Sequence, residues 1–379
     1  MKIKVAIIDS IGSHGSSHHY YLFAQAKGLI ENKVDVTIFS NKKTYLSSLG
    51  KIKVENTFGD IFKTKGKLAN AIYFVSGILK SFFKAKFSSH NFFHLHLFDF
   101  NILNFFACFF AIFFNVRLIL TIHDINPFSK KTNLFLKRWI LLFADKVIVH
   151  NEFSKKELIK YVINLKKISV VPHGNYLDFI KPKTNKIVAK KKFGLQNKNV
   201  ILFFGMIKEE KGLDILIKSF YEVNQNNKDV VLLIAGKTYK TDIKKYTKII
   251  DQLDLENSCV IHNKFIPEDA LCDYYGCADV IVLPYKIIFQ SGVLMMSSSF
   301  NVPVIVSDLE PFLDIIENQI NGLVFKVNDV KSLAEKLIFS VNSTEKMNSY
   351  AKNNFEKIKN QYDWTKIGKL NKDVYLYFK

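Results

Sequence analysis

Residues 3–17 read IKVAIIDSIGSHGSS. The apolar run Ile3–Ile8 predicts a buried β-strand, and the glycine- and serine-rich loop after it leads into a helical pattern from His18 to Glu31. A second apolar run, Val34–Phe39, predicts the next strand. A strand, a loop, a helix and a strand in this order begin a parallel α/β sheet.

The alternation of strand and helix continues along the chain and restarts after its middle. Further runs of strand type are Phe92–Leu97, Arg117–Ile122, Lys146–Val149, Ile168–Val171, Val200–Phe204, Val230–Ala235, Cys259–His262, Val280–Leu283 and Pro303–Ser307. The pattern predicts an α/β protein with two Rossmann-like, doubly wound domains, with the ligand cleft where the carboxyl ends of the two sheets face each other. We place these domains at residues 1–182 and 183–360, joined by the lysine-rich linker Pro182–Lys192, and expect a final helix at 361–379 to pack back on the first domain.

The composition indicates a globular protein with an anionic partner. Of the 379 residues 48% are hydrophobic and 23% charged, and the formal net charge is +20. Up to Asn185 there are 27 Lys and Arg against 11 Asp and Glu, so most of the positive excess lies in the N-terminal half. Such an excess attracts nucleic acid, anionic lipid or a phosphorylated substrate. Because the lysines are scattered and not clustered with stacking aromatic residues, we expect no nucleic acid.

The cysteines and the N-terminus favour a reducing, cytoplasmic location. The four cysteines form no Cys-x-x-Cys pair and no zinc-type spacing with histidine, so they are expected to be buried free thiols. The first apolar run ends at Asp9, which makes it a strand and not the core of a secretory signal.

Two segments of the N-terminal half bear on membrane contact. Phe100–Val116 carries no charged side chain before Arg117 and is rich in Phe, but it is shorter than the roughly 20 residues that cross a bilayer, so we expect a buried or half-buried helix. In Leu68–Phe87, aromatic side chains alternate with Lys80, Lys84 and Lys86. Such a helix either lies on an anionic membrane surface or packs on the sheet with a solvated lysine face.

The candidate site residues of the first domain follow its predicted strands. Gly12 and Gly15 lie between the first strand and a helix, where backbone N–H groups can approach a phosphate. The loop lacks the Gly-x-Gly-x-x-Gly pattern of dinucleotide-binding enzymes. His94, His96 and His123 stand at the ends of two neighbouring strands and are expected to face the cleft. A metal site made of histidines is an alternative that no spacing specifically supports.

The second domain offers two further places that suit an anionic ligand. Lys208 and Lys211 lie on a loop bounded by glycines and could neutralise the diphosphate leaving group of a nucleotide sugar. Ser291 and Gly292 open a helix, whose N-terminal N–H groups also suit phosphate. With this charge available, we expect neither a cofactor nor a metal.

Several motifs, taken in order, resemble one family along nearly the whole chain. They are Val171–Gly174, Gly205-x6-Gly212 with Lys211, Ile266-Pro267, Cys277–Tyr285, Pro303–Val306, Asn321–Phe325 and the closing helix around Trp364. In this order and spacing the chain is similar to the family-four, retaining glycosyltransferases of the GT-B fold, the glycosyl transferases of group 1.

The resemblance implies roles for individual residues. Gly15 would contact the donor phosphates, His96 would lie near the transferred sugar, and Lys211 would hold the donor diphosphate. Ser291, Gly292 and Val293 would lie beside the distal phosphate and the sugar, and Gln290-Ser291-Gly292 resembles a subgroup that varies the family's pair of glutamates. Ile288 and Met296 occupy the places of those glutamates, Met206 replaces the usual Arg, and the glycine pair expected near Glu310 is missing.

The sequence therefore predicts a hexosyltransferase that moves a sugar from a nucleotide-diphosphate donor to a lipid-linked or polysaccharide acceptor in cell-surface glycan synthesis. We expect it to act as a peripheral protein at the cytoplasmic face of the membrane. The alternative is a GT-B protein that has lost the chemistry and serves as a partner or scaffold in glycan assembly, as the missing glutamates suggest.

Overall fold

The computed structural model describes residues 2–13, 18–44, 52–59, 66–126, 133–162 and 164–378. The chain divides into two compact units, one formed by Met1–Gly174 with Tyr362–Lys379 and the other by Asn175–Gln361. Each unit contains one parallel sheet flanked by helices. The α/β class and the doubly wound sheets that the sequence predicts are confirmed.

The first unit contains a seven-stranded sheet. Its strands are β1 (Lys4–Ile8), β2 (Asp35–Asn41), β3 (Lys53–Phe58), β4 (Phe92–Leu97), β5 (Arg117–Ile122), β6 (Lys146–Val149) and β7 (Ile168–Val170). Its helices are α1 (His18–Glu31), α2 (Lys67–Phe87), α3 (Ile102–Ala111), α4 (Leu134–Phe143), α5 (Glu152–Ile159) and, from the chain terminus, α14 (Trp364–Leu376). The strand order is β3-β2-β1-β4-β5-β6-β7, so the direction of winding reverses between β1 and β4.

The second unit repeats the plan with six strands. These are β8 (Asn199–Phe204), β9 (Val230–Ala235), β10 (Cys259–His262), β11 (Val280–Leu283), β12 (Val304–Ser307) and β13 (Leu323–Phe325). The helices are α6 (Lys186–Lys192), α7 (Leu213–Asn226), α8 (Lys244–Gln252), α9 (Leu271–Cys277), α10 (Gly292–Ser299), α11 (Glu310–Leu313), α12 (Val330–Asn342) and α13 (Thr344–Gln361). In the order β10-β9-β8-β11-β12-β13 the reversal lies between β8 and β11.

The boundary between the units differs from the one drawn from the sequence. Asn175 and Tyr176 already belong to the second unit, because the Asn175 side chain donates to the Ile358 carbonyl and the Tyr176 N–H donates to Ser299 Oγ. The linker assignment of Pro182–Lys192 was wrong for its second half, which forms α6. The helix has too few apolar residues to show an apolar periodicity. Its lysines are instead held by ion pairs, as Lys190 is with Asp279 (2.7 Å).

Two strands were missed because their sequences carry little apolar signal. β3 has the sequence KVENTF and extends the sheet edge beside β2, and β13 has only three residues. The Phe-rich stretch before Arg117 forms α3 and a short 3₁₀ turn, and is half-buried as expected: Ala107, Cys108 and Ala111 face inward while Phe113 is 71% exposed. Among the described residues, no helix has the length and apolarity needed to cross a membrane.

Helix α14 packs against α1 through two glycines. A Cβ atom on Gly368 would lie 2.1 Å from the Gly28 carbonyl oxygen, and a Cβ on Gly28 would lie 2.0 Å from the Trp364 carbonyl oxygen. The close approach also buries a hydrogen bond from Gln25 to Asn371 (3.1 Å). The last helix is therefore a structural part of the first unit.

We expect Gly368→Ala to lower the free energy of unfolding by about 1–3 kcal/mol, the usual cost of overpacking, because backbone atoms cannot yield as a flexible side chain can. Urea unfolding of the purified protein measures the change. Gly66→Ala is the matched control, since a Cβ there meets no atom within 4 Å. Equal stability of the Gly368 variant and the wild type would show that the two helices can separate without cost.

Candidate functional site

The carboxyl end of β1 lies at the reversal of strand order in the first unit, where ligands bind in open α/β sheets. Asp9 directly follows this strand, and its Oδ1 accepts a hydrogen bond from the Gly12 N–H (2.6 Å). Gly12 has φ +49°, and a Cβ there would lie 1.8 Å from Thr44 Oγ1, so the tight turn requires glycine. Gly15 lies outside the described residues. Gly12 is therefore required for the conformation of this turn. Its contact with a phosphate stays a prediction.

Four histidines follow one another along the carboxyl edge of the sheet. His96 lies in β4, His123 follows β5, His150 follows β6 and His173 comes after β7. His96 Nδ1 lies 3.0 Å from His123 Nε2, and His123 Nδ1 lies 3.2 Å from His150 Nε2. Their rings also surround the ring of Tyr21 from α1.

The first three of these histidines form a hydrogen-bonded row, and oxygen atoms of the protein fix both of its ends. His96 Nε2 donates to Gln25 Oε1 (3.0 Å), and His150 Nδ1 donates to the Val171 carbonyl (3.0 Å). We call His96, His123 and His150 the histidine chain. The sequence singled out the first two; His150 was missed, although it stands directly after a strand just as His123 does.

His94 stacks on His96 (ring centres 5.0 Å apart) but directs its own hydrogen bonds away from the histidine chain. It points to Tyr375 OH (2.6 Å) on α14 and to Thr121 Oγ1 (2.7 Å), and it is completely buried. With both ring nitrogens bonded inside the core, His94 has a structural role. The prediction that it faces the cleft was wrong: His94 lies on the same face of β4 as His96, but two residues before it, where Thr121 and Tyr375 of α14 cover its ring.

A fifth imidazole joins the site from the start of α1. His18 Nε2 lies 3.0 Å from Asp9 Oδ2, and the side chains of both are almost fully buried. One ring nitrogen from each of His18, His96 and His123 lies within 4.8 Å of the others. His18 borders a loop and follows no strand, so strand-end reasoning does not find it.

Burial favours the neutral form of His94, His96, His123 and His150. It lowers the pKa of His94 to about 3 and that of His150 to about 4, and it lowers the pKa values of His96 and His123 well below the usual range, with the neighbouring imidazoles adding to the effect. The cause is the lost hydration of the imidazolium.

In the second unit, the loop from Gly205 to Gly212 leaves the carboxyl end of β8, again at the reversal of strand order. Gly212 has φ +66°, and a Cβ there would lie 1.9 Å from the Pro284 carbonyl oxygen. The Lys286 N–H donates to the Glu210 carbonyl (2.8 Å). These contacts fasten the loop to the end of β11, the other strand at the reversal.

Lys211 lies on this loop without a carboxylate partner among the described residues. Its Nζ lies 5.1 Å from the centre of the Tyr285 ring, and within the described part of the chain it makes no ion pair. By contrast, Lys286 pairs with Asp214 (2.9 Å) and Lys245 with Glu209 (2.6 Å). Burial lowers the pKa of Lys211 to about 8, which Glu210 partly offsets.

The helix start predicted at Ser291 lies beside this lysine. Ser291 Oγ accepts from the Leu294 N–H and caps α10. A Cβ built on Gly205 would lie 3.2 Å both from Lys211 Nζ and from Val293 Cγ2, so glycine keeps a space between the lysine and the helix. The Gln290 side-chain oxygen is buried with no hydrogen-bond partner among the described residues. Lys208 lies further out, 5.2 Å from the Tyr239 ring centre.

The residues that replace the expected glutamates are apolar and buried. Ile288 is 6% exposed and Met296 is 4% exposed, so both belong to the core around α10. Met206 is 38% exposed at the beginning of the loop. The positive charge of this loop therefore comes from Lys211 and Lys208.

Comparison with known proteins identifies the family of this chain. The family model for glycosyl transferases group 1 matches residues 185–357, and the model for glycosyltransferase family 4 matches residues 19–178. Together they cover most of the chain. The chain belongs to the group 1 glycosyltransferases. Proteins of this family are transferase enzymes, and the GT-B fold implied by the sequence is confirmed.

The relatives of this glycosyltransferase are distant. It is 26% identical to the putative glycosyltransferase YtcC of Bacillus subtilis over 69% of this chain and 67% of that protein. It is 24% identical to an Escherichia coli UDP-Gal:alpha-D-GlcNAc-diphosphoundecaprenol alpha-1,3-galactosyltransferase over 67% of this chain and 68% of that protein. Among solved structures, Anabaena HepE in complex with UDP and glucose superposes with a TM-score of 0.77 at 18% identity, covering 99% of this chain and 100% of that one.

The buried histidines should make this glycosyltransferase sensitive to acid. Between pH 6.5 and about 4 the unfolded chain binds more protons than the folded one, so the free energy of unfolding falls as the pH falls. At pH 5 we expect a loss of about 2 kcal/mol each from His94 and His150. Urea unfolding at pH 7 and pH 5 measures this loss of unfolding free energy. In the His94→Gln variant the loss should be smaller by about the 2 kcal/mol that His94 contributes. An equal difference in variant and wild type would contradict this origin.

Proposed function

We propose that this glycosyltransferase moves a hexose from a nucleoside-diphosphate sugar to a lipid-linked or polysaccharide acceptor during cell-surface glycan synthesis, with retention of anomeric configuration. The observation that carries the proposal is the Lys211 ammonium, which lies partly desolvated at the carboxyl edge of the second sheet and has no carboxylate partner among the described residues. Transfer from such a donor releases a diphosphate, and fixed positive charge stabilises that leaving group.

The names of the relatives support the substrate class. The Escherichia coli relative acts on a sugar linked to diphosphoundecaprenol, and a Staphylococcus aureus relative, 24% identical over 60% of this chain and 61% of that protein, is a capsular polysaccharide biosynthesis glycosyltransferase, CapM. The superposed HepE structures contain UDP, or UDP with glucose, or UDP-glucose. Because the identities are low, donor base, sugar and acceptor remain part of the proposal.

The residues of the two units take complementary parts in the proposed reaction. In the second unit Lys211 and Lys208 bind the diphosphate, and the N-terminal N–H groups of α10 bind beside it, so the leaving group needs no metal. The Gln290 oxygen offers an acceptor to a donor hydroxyl. In the first unit, His96 and His123 act on the transferred sugar. The proposed donor-binding residues are Gly12, Gly15, Lys208, Lys211, Gln290, Ser291, Gly292 and Val293.

Replacing Lys211 with Ala should weaken nucleotide-sugar binding and transfer by about 2–3 kcal/mol, the scale of one lost charged stabiliser. In the wild type, nucleotide affinity should decline as the pH rises from 7 to 9, because the ammonium loses its proton around its lowered pKa of about 8. Calorimetric titration with a panel of UDP-, GDP- and ADP-sugars measures both effects.

The matched control is Lys245→Ala. Lys245 lies on α8 and pairs with Glu209, which is on the same loop as Lys211. Its exposed ion pair contributes little, so donor affinity should stay near the wild-type value. Lys211→Arg keeps a charge at high pH and should flatten the pH dependence. Unchanged donor affinity in Lys211→Ala would refute the assignment.

We propose further that the first unit binds an anionic membrane surface through α2. Ile78 and Phe82 face the core, and Phe82 stacks on Phe93 of β4, so this face packs on the sheet. The outer face exposes Phe83 (53%) and Phe87 (86%). An apolar groove lined by both leads to Phe113 at the end of α3.

Positive charge surrounds these exposed rings. Lys80, Lys84 and Lys86 are exposed on the same helix, and only Lys84 has a carboxylate partner, Glu55 (2.9 Å), within the described ranges. Aromatic rings beside lysines are the composition that inserts into the headgroup region of an anionic bilayer. Each lysine near such a surface contributes about 1 kcal/mol at low salt.

The protein should therefore sediment with vesicles containing phosphatidylserine at low ionic strength, and much less with neutral vesicles or in high salt. Reversing Lys80, Lys84 and Lys86 to Glu should release it, and Phe83→Ser with Phe87→Ser should weaken binding while leaving the fold intact, because both rings are exposed. The control with an equal charge change reverses Lys346, Lys352 and Lys359, which are exposed on α13 of the second unit. Equal binding by the α2 variants and this control would refute the surface.

A further inference from the structure

The histidine chain contains more hydrogen-bond contacts than neutral imidazoles can supply with protons. There are four contacts: Gln25 to His96, His96 to His123, His123 to His150, and His150 to the Val171 carbonyl, at 3.0, 3.0, 3.2 and 3.0 Å. Each contact needs one N–H. Three neutral imidazoles carry only three N–H groups between them.

The groups at the two ends of the histidine chain, Gln25 and the Val171 carbonyl, cannot provide the missing N–H donor. The Val171 carbonyl can only accept. At the other end, Gln25 presents Oε1 because its amide nitrogen donates to Asn371 Oδ1 (3.1 Å), and Asn371 in turn donates its amide N–H to the Ile367 carbonyl (3.0 Å). The Ile367 carbonyl can only accept. If the amides of Gln25 and Asn371 were both rotated by 180°, the Asn371 oxygen would therefore face the Ile367 oxygen with no proton between them.

A cation between two of the rings removes the shortage. If it lies between His96 Nδ1 and His123 Nε2, His96 keeps its N–H for Gln25, His123 donates from Nδ1 to His150 Nε2, and His150 donates from Nδ1 to Val171. Three neutral imidazoles then satisfy the three remaining contacts. Each metal-bound ring also has its second nitrogen fixed by a hydrogen bond, as is usual for metal-ligating histidines.

The cation could lie in either of the two contacts between rings, and the position of His18 favours the one between His96 and His123. One of its ring nitrogens lies within 4.8 Å of the ligand nitrogens of both His96 and His123. The buried Asp9 carboxylate is 3.0 Å from His18 Nε2 and supplies negative charge beside the cluster. Three imidazoles from α1, β4 and the end of β5 thus converge on one point.

We propose that His18, His96 and His123 form a binding site for a divalent transition metal of the zinc class. Three neutral imidazoles with a fourth position for water or a hydroxyl oxygen are a common zinc arrangement. Two nitrogens on one tetrahedral zinc lie about 3.3 Å apart, so the 3.0 Å pair needs to open only slightly. With the metal bound, His96 and His123 would act on the transferred sugar through the metal's open fourth position and not as free imidazoles. Metal binding itself requires neither donor nor acceptor.

The test is a titration of the full chain, without a histidine tag and stripped of metal, with Co²⁺ at pH 7.5. We expect one equivalent to bind with the visible absorption of tetrahedral cobalt and to be displaced by Zn²⁺. His96→Ala and His123→Ala should abolish the signal, and Gln25→Ala should lower the affinity about 10- to 100-fold, as loss of a partner that orients a metal ligand does.

His90→Gln is the matched control, since this buried histidine of the same unit bonds Ala85 and Thr37 away from the cluster. It should bind Co²⁺ as the wild type does. In case the alanine variants fail to fold, ¹⁵N NMR of the wild-type imidazoles gives an independent result: Zn²⁺ should shift His18, His96 and His123 and leave His150 neutral. The proposal would be overturned if the wild type binds no stoichiometric Co²⁺. It would also be overturned if one ring of the histidine chain is an imidazolium in the metal-free protein and Zn²⁺ does not change its signal.

Discussion

The pairing of the first strand of each unit with two neighbours on opposite sides is the constraint on which the structure depends. β1 lies between β2 and β4, and β8 lies between β9 and β11, all parallel. Parallel strands need crossovers, so all carboxyl ends lie along one edge, and the connections diverge where the winding reverses. That divergence opens the space in which Asp9 and the histidines of one unit, and Gly205 and Lys211 of the other, are placed.

Desolvation then determines what these side chains can do. In the first unit the histidines are numerous and buried, so they are neutral hydrogen-bonding groups whose protons are limited in number. In the second unit the Lys211 ammonium has lost part of its hydration without gaining an ion-pair partner among the described residues. The same cost of desolvation therefore favours unprotonated imidazoles in one unit and weakens the hold of Lys211 on its proton in the other.

Much of the fold could be predicted from the sequence because strand burial is local information. In a parallel sheet both faces are covered, so Phe92–Leu97 and Val230–Ala235 are continuous apolar runs, and both have the predicted bounds. Where this signal is weak the prediction failed: KVENTF forms an edge strand, and the lysines of α6 are stabilised by partners distant in sequence. The candidate residues Lys211 and Ser291 could likewise be identified from their places after strands.

The sequence by itself determined the fold class, the family and the loop that carries Lys211, because these depend on short apolar runs and on glycines within a few residues. Only the tertiary structure decided which histidines meet. His94 and His96 are two residues apart, yet one points to Tyr375 of the last helix and the other to His123 and Gln25. Asn371, more than 340 positions from Gln25, orients the amide that bonds His96. Such long-range contacts leave no periodic trace in the sequence, since each requires only a compatible side chain at one position.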